Sequence, residues 1–544
     1  MREMSVIALA VLIAACSDSG VGKKGVAANG GTLVVSATQD PGTLFPPFVE
    51  TATAKQITEQ IYDYLADVGP SLDTRNENDF RRELAEDWRW SSDSLSLAFH
   101  LNPRARWHDG RSVTADDVRF TFELNRNPAA ASRYLSSLDN IDSVTVADSL
   151  TAVFWFHRRR PTQFLDAAAQ LLILPAHQLR DIAPGQLQQA APSPIGSGRF
   201  RLGRWQKGES VAIVADSSNY RGRPRLDRVV WTVAPDFTTA VTRLKRGDID
   251  FLDGLRPENI AELRGQQNVR LVTAPTMDYA FLRFNLHDPA NRSRPHPLFG
   301  DRELRRAITM SIDRTALVRS ILDTLGVVPA GPTVRSFPST DPKLVQIPFD
   351  SARAAAILDS LGWSRGPDGI LARRGRQLAF TLIVPSYSAN RMRMGVLLQE
   401  KLRQTGIRVN VDRMEYLAQV TKEQNGDFDA SLDNWTMPSS PDATRDAWTT
   451  SGIGKNGVNY GRYSNPRFDV LLDSALFADP GHARARFTAA YSVINDDAPA
   501  VWLYEPRKVM GLNGRVKTAE MRPDSWWFSL SDWTVSAPGG NPGD

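Results

Sequence analysis

Apolar and polar residues alternate through Leu95, Leu97, Phe99 and Leu101, with Ser94, Ser96, Ala98 and His100 between them. That period predicts a strand with one face in the core. The turn Trp107-His108-Asp109-Gly110 follows, and Thr114 with Asp117 three residues on predicts a capping box for a helix carrying Val118 and Phe122 on one side. Residues 32–36 and 229–233 read as short buried strands, 144–146 with 152–156 as a hairpin, and 204–208 as a turn. The second half is more regular. Asp301 opens a helix with Leu304, Ile308 and Ile312 at i, i+4 and i+8, and Asp313 caps the next, with Leu317 and Ile321 inside. Asp350 caps a third helix ended by Gly362, and Asn390 a fourth ended by Gly406. Alternation at Leu378, Phe380, Leu382 and Val384 before the fourth helix, and at Ile407, Val409 and Val411 after it, predicts a β-α-β unit. An α/β body follows, without internal repeats.

The amino terminus departs from this pattern. Residues 4–15 form a mostly apolar run after a short charged start, which reads as an export signal, since spanning a bilayer takes about 20 apolar residues. Leu12-Ile13-Ala14-Ala15-Cys16 resembles a bacterial lipoprotein box, which makes Cys16 the lipidated residue and 1–15 the signal peptide. Residues 16–31, rich in Gly, Ser, Ala and Lys, read as a flexible tether, so the folded body starts near Thr32.

Composition narrows the class. The chain has 544 residues, 42% hydrophobic and 23% charged, enough for a large core and too long for one domain at about 150 residues each. Lys+Arg 65 against Asp+Glu 61 leaves net +4, spread too evenly for a nucleic-acid stripe. A single cysteine excludes an internal disulfide, a Cys-based zinc site and a Cys-ligated iron-sulfur cluster.

Catalytic signatures are weak. Residues 452–457 fit G-x-G-x-x-G but lack the preceding strand and following helix of a dinucleotide site. His108-Asp109 sits in a Gly-ended turn and reads as structural. The seven histidines show no metal-ligand spacing, and no G-x-S-x-G elbow occurs. Asp248/Asp250 and Asp427/Asp429 are carboxylate pairs of a kind that serves glycoside hydrolysis, though solvated strand or turn positions explain them as well. Of the thirteen tryptophans, Trp435 stands out: it ends the apparent strand 428–434 and precedes an irregular, Pro-containing stretch, where α/β proteins place ligands.

Taken in order, the motifs resemble the family 5 extracellular solute-binding proteins, receptors of bacterial ABC importers for peptides, nickel and related solutes. The resemblance rests on Leu84-Ala85-Glu86-Asp87-Trp88, then residues 107–118, then Gly196-Ser197-Gly198-Arg199-Phe200 with Trp205-Gln206-Lys207-Gly208-Glu209. It continues through residues 219–224, Arg305-Arg306-Ala307-Ile308, Ser311-Ile312-Asp313-Arg314, Tyr463-Ser464-Asn465-Pro466 and Asp497-Ala498-Pro499.

The resemblance implies a two-lobed α/β fold of the type II periplasmic-binding-protein class, large peptide-binder subclass, with a hinge between lobes. Lobe I would comprise residues 32–52 and 189–284, an extra subdomain 53–188, and the C-terminal return 495–544, with lobe II at 285–494. It implies a receptor that binds peptides, or a related small solute, between the lobes and delivers them to ABC permease and ATPase subunits. Such a protein is no enzyme, needs no cofactor or metal, binds no nucleic acid, acts as a monomer and sits outside the cytoplasm on a lipid anchor. Trp435 is carried over as a cleft wall, and Gln39, Asp40 and Tyr279 fall where the family lines its cleft. One departure matters. Where family peptide receptors place an aspartate for the peptide amine, this chain has Pro438, so Asp433 or Asp442 takes that role or the solute lacks a free amine. The alternatives are an exported hydrolase and a non-transport solute sensor.

Overall fold

The computed structural model describes residues 30–190, 192–454 and 457–536. Cys16, the expected signal segment and all but the last two residues of the expected tether lie outside them. So do Lys455 and Asn456 of the glycine motif, which is preceded by the helix Ala443–Trp448 and not by a strand.

A twelve-stranded mixed sheet runs through both lobes. Its spine is the strand Ala500–Asn513, 14 residues long and continuously buried from Ala500 to Glu505. Covered on both faces, it has no alternation to show. Residues Ala500 to Tyr504 pair antiparallel with Asp278–Phe284, while Arg507 to Asn513 pair with Val269–Pro275. Two adjacent strands therefore cross from one lobe to the other. The ladder breaks at Thr276–Met277 opposite Glu505–Pro506, where the Thr276 hydroxyl donates to Pro506 O at 2.9 Å. On the other side of the strand Pro506 still registers against Gly326, so the interruption is confined to the side of Thr276–Met277.

On the first-lobe side the sheet continues through Phe251–Leu252, Thr32–Ala37, Arg228–Val233, Ser210–Ala215 and Phe200–Gln206. The C-terminal return packs into this lobe, Trp526 lying 4.2 Å from the Phe251 ring. A satellite four-stranded antiparallel sheet holds Ser96–Leu101, with Leu97, Phe99 and Leu101 facing inward as the alternation predicts. On the second-lobe side lie Ala430–Thr436, Ala379–Pro385 and Arg408–Met414. The last two are parallel across the helix Ala389–Gln404, the β-α-β unit expected. The Thr114/Asp117 capping box and the Asp301, Asp313 and Asp350 caps are all present.

Four local expectations need correction. Arg204, Trp205 and Gln206 belong to a strand, and the turn begins only at Lys207, because that edge pairs with Ser210–Ala215. Ser388, not Asn390, caps the fourth helix, its hydroxyl accepting from Arg391 N, so the helix starts earlier. Ile312 lies beyond the end of the helix Arg302–Met310, although it stays buried. The strand expected at 428–434 is Ala430–Thr436 and contains Trp435.

His108 proves to be a clamp. Its backbone N–H donates to Gly196 O at 2.8 Å, Gly196 N–H donates to Nδ1 at 3.2 Å, and Nε2–H donates to Gly198 O at 2.9 Å. Burial holds its pKa below the ordinary histidine value, consistent with this neutral tautomer. The Gly-Ser-Gly segment has a reason of its own: a Cβ on Gly196 would stand 1.8 Å from Ile61 O. Asp109 turns away to His177 at 2.7 Å. No helix among the described residues is long and apolar enough to cross a membrane.

Candidate functional site

The crossing strands floor a cavity of about 570 Å³ lined from both lobes. That lies within the roughly 300–1,000 Å³ typical of small-ligand pockets. Thr276, Met277, Asp278 and Lys508 come from the crossing. Lys55, Glu59, Tyr64, Arg133 and Tyr134 come from the first lobe, Thr436 from the end of the second-lobe strand, and Met437 to Ser439 from the loop after it. Asp524 enters on the C-terminal return, and the Ser439 hydroxyl donates to its Oδ2 at 2.9 Å, a hydrogen bond between the lobes. Away from the cavity the lobes also touch where the Arg75 guanidinium lies 5.2 Å over Phe487.

The charged lining is mostly engaged. Glu59 accepts from Tyr64 Oη at 3.0 Å and Trp527 Nε1 at 2.6 Å, and Lys55 stands 3.7 Å away. Burial raises the Glu59 pKa despite that lysine. Lys508 pairs with Asp253 at 3.1 Å and Asp524 with Arg522 at 2.8 Å. Arg522 in turn reaches Asp67 at 3.3 Å. Arg133 donates to Val49 O and lies 5.4 Å over the Tyr134 ring. Asp278 accepts from the Thr436 hydroxyl directly across the strand pair, and from Asn434 Nδ2 at 3.5 Å.

Of the residues singled out from the sequence, Trp435, Tyr279, Gln39, Asp40, Asp433 and Asp442 are not in the cavity lining, whereas Pro438 is. Trp435 is partly buried against the apolar cluster that includes Tyr279, Phe281, Trp448 and Trp502. Its indole N–H has no hydrogen-bond partner among the described residues. Tyr279 is 0% exposed and accepts from Trp448 Nε1 at 3.1 Å. Side chains alternate along the strand, so Asp278 faces the cavity and its neighbour the core. Tyr279 therefore packs beneath the cavity floor.

Asp433 is spent in a buried triad. Arg283 reaches it at 3.0 Å and Glu423 at 3.2 Å, while Gln419 donates to it at 3.0 Å. Burial and the Asp433 charge push Glu423 upward. Asp442 sits 3.6 Å from Arg445, its pKa raised by burial; burial, with a lesser addition from Asp442, also raises Asp166 in the first lobe to about 7. Asp40 accepts from Trp205 Nε1 at 3.1 Å and Gly208 N at 2.7 Å, tying down a strand connection, and Gln39 is exposed beside it.

Three of the four carboxylates in the two pairs are held in ion pairs, and Asp248 is exposed. Asp250, 0% exposed, takes both Arg515 nitrogens at 2.7 and 2.8 Å plus Val34 N at 2.9 Å. Asp427 pairs with Arg292 at 2.9 Å, and Asp429 with His296 at 3.1 Å and Thr381 N at 2.9 Å. No group of three or more His, Cys, Asp or Glu side chains among the described residues is arranged to hold a metal ion.

Comparison with known proteins places these features in context. The family model of the bacterial extracellular solute-binding proteins, family 5 Middle, matches residues 79–456. The oligopeptide-binding protein AppA of Bacillus subtilis is 28% identical over 545 residues, 97% of each chain. Its solved structure, a complex with a nonapeptide, superposes with a TM-score of 0.69 at 26% identity, covering 94% of this chain and 100% of that one. HbpA2 from Haemophilus parasuis reaches a TM-score of 0.80 at 21% identity, covering 93% of this chain and 100% of that one.

Proposed function

Because the chain belongs to the bacterial extracellular solute-binding proteins of family 5, we propose that it is the substrate-binding receptor of an ABC importer and that it takes peptides into the interlobe cavity. One observation carries this reading: a polar cavity whose floor is the pair of strands crossing between lobes, and whose walls come from both of them. A guest in that position touches both lobes only when they are closed, so it stabilises the closed form by the difference in its contacts. The permease then reads closure. The names of the relatives, binding proteins for peptides, support the same reading. The hydrolase alternative is not favoured, since Asp250, Asp427 and Asp429, three of the four carboxylates that suggested it, hold ion pairs within the fold.

Trp435 and Asp442 act in this proposal as supports beneath and beside the cleft, not as its lining. Diacylated Cys16 would hold the body at the outer face of a membrane, through acyl chains worth about 0.8 kcal/mol per buried CH₂. Thermal-shift titration with pools of short peptides, sugars and single amino acids, followed by small-angle scattering, tests the function. Peptides should raise the melting temperature and shrink the radius of gyration. Stabilisation by sugars alone, or recovery of the added peptide as hydrolysis fragments, would discard the proposal.

A further inference from the structure

Arg75 stands on the seam between the lobes, outside the cavity lining. Its loop is held firmly to the first lobe. A Cβ on Gly69 would stand 1.8 Å from Asp79 O, and the Ser71 hydroxyl donates to Asp79 Oδ2 at 2.8 Å. Leu72, 2% exposed, keeps a left-handed φ of 59°, a strained conformation for leucine that persists where the surroundings enforce it. What Arg75 meets belongs to the second lobe. Its Nη1 donates to Ala475 O at 3.4 Å, at the end of the helix Pro466–Leu476, and the guanidinium lies over the Phe487 ring on the next helix, Pro480–Asp497. That helix end favours a cation: its carbonyls carry partial negative charge, and its last turn holds Asp473 and no basic residue. Within the second lobe Arg445 answers Asp473 at 2.8 Å and Arg486 answers Ser474 O at 3.4 Å. Ala475 O is answered from across the seam. With Asp73 3.5 Å away and its own side chain 6% exposed, Arg75 is packed and charge-balanced while the lobes are together.

We propose that Arg75 is a positioning residue for closure: it latches the lobes together through the end of the helix Pro466–Leu476 and the Phe487 ring, and so sets the affinity for every guest without touching one. This rests on the reading of the cavity as a peptide site that the lobes close over. When the lobes part, the Ala475 and Phe487 contacts are exchanged for water, and when they close the contacts form again. A guest that needs the closed form binds with an apparent Kd equal to its intrinsic one divided by the closed fraction. Losing the latch lowers that fraction, and the resulting factor is the same whatever the guest's ends or side chains. A residue of the cavity lining behaves otherwise, since its loss is felt by the guests whose groups it faces.

The test is calorimetric titration of the wild type, Arg75→Ala and Arg75→Lys with a panel of short peptides differing in charge and side chains, together with small-angle scattering of each protein with and without saturating peptide. Arg75→Ala should weaken every peptide by one common factor of about three to ten, the size expected for a partly buried cation lost from a helix end. It should enlarge the radius of gyration of the ligand-free protein. At saturation its radius should match that of the wild type, because shutting is still possible and only less favoured; a variant with a damaged fold would not recover it. Arg75→Lys keeps the charge but not the planar face, and should regain part of the loss. Unchanged affinities, or losses that differ from peptide to peptide, overturn the latch. If no peptide binds the wild type, the peptide-receptor reading falls on its own, and the ligand-free radii still judge the latch: equal values for wild type and Arg75→Ala overturn it.

Discussion

Glu505 lies on the crossing strand at the break between lobes, and replacing it with glutamine should make the protein more stable at alkaline pH. Its side chain is 6% exposed; Oε2 accepts from Arg335 N at 3.0 Å, while the nearest guanidinium nitrogen stands 3.9 Å from Oε1. Burial outweighs these contacts and pushes the carboxyl from 4.5 up to about 7. The fold therefore favours the protonated form. Its contribution to stability is full below pH 4.5 and is lost as pH rises through about 7, where the folded state must hold a charge that the unfolded state hydrates. At about 1.4 kcal/mol per tenfold change in proton affinity the whole effect is about 3 kcal/mol, of which about 2 to 3 kcal/mol falls between pH 5 and pH 8. Asp166, also raised to about 7, titrates in the same window, so wild-type data alone would mix the two. The difference between wild type and Glu505→Gln isolates one group. Urea unfolding at pH 5, 6.5 and 8 should show the variant gaining on the wild type by about 2 to 3 kcal/mol across the series. A difference independent of pH would refute the assignment of a buried, mostly protonated hinge carboxyl.

Asp250→Ala should cost about 3 kcal/mol or more by urea unfolding, because it strands Arg515 and removes the acceptor of Val34 N; a loss below about 1 kcal/mol would mean that water replaces the pair. Cys16→Ser should move the protein from the membrane to the soluble exported fraction, read by fractionation and intact mass, whereas unchanged membrane association would refute lipidation at that residue.

The helix caps at Thr114, Asp301, Asp313 and Asp350, and the strand at Leu97, Phe99 and Leu101, are legible in the sequence because each is made by residues three or four positions apart, or by strict alternation. The β-α-β unit is legible for the same reason. Where an element is covered on both faces, as from Ala500 to Glu505, periodicity is silent, and the spine of the sheet passes without a signal. The ordered motifs identify the family, since sequence order survives where individual patterns are weak. The interruption at Thr276–Met277 is the one local mark of the crossing, a short gap in a run that otherwise reads as strand from Val269 to Phe284.

The cavity charges are a different matter. Asp433, Asp442 and Asp278 are indistinguishable as letters, and each lies on or beside a second-lobe strand. What separates them is Arg283, 150 positions from Asp433 and 3.0 Å away in space, against the absence of any such cation within reach of Asp278 among the described residues. Sequence by itself determined the local elements and the family, because those depend on neighbours along the chain and on their order. Only the tertiary structure decided which carboxylate is neutralised by a cation and which is not, because Coulomb energy falls with distance through space and takes no account of separation along the backbone.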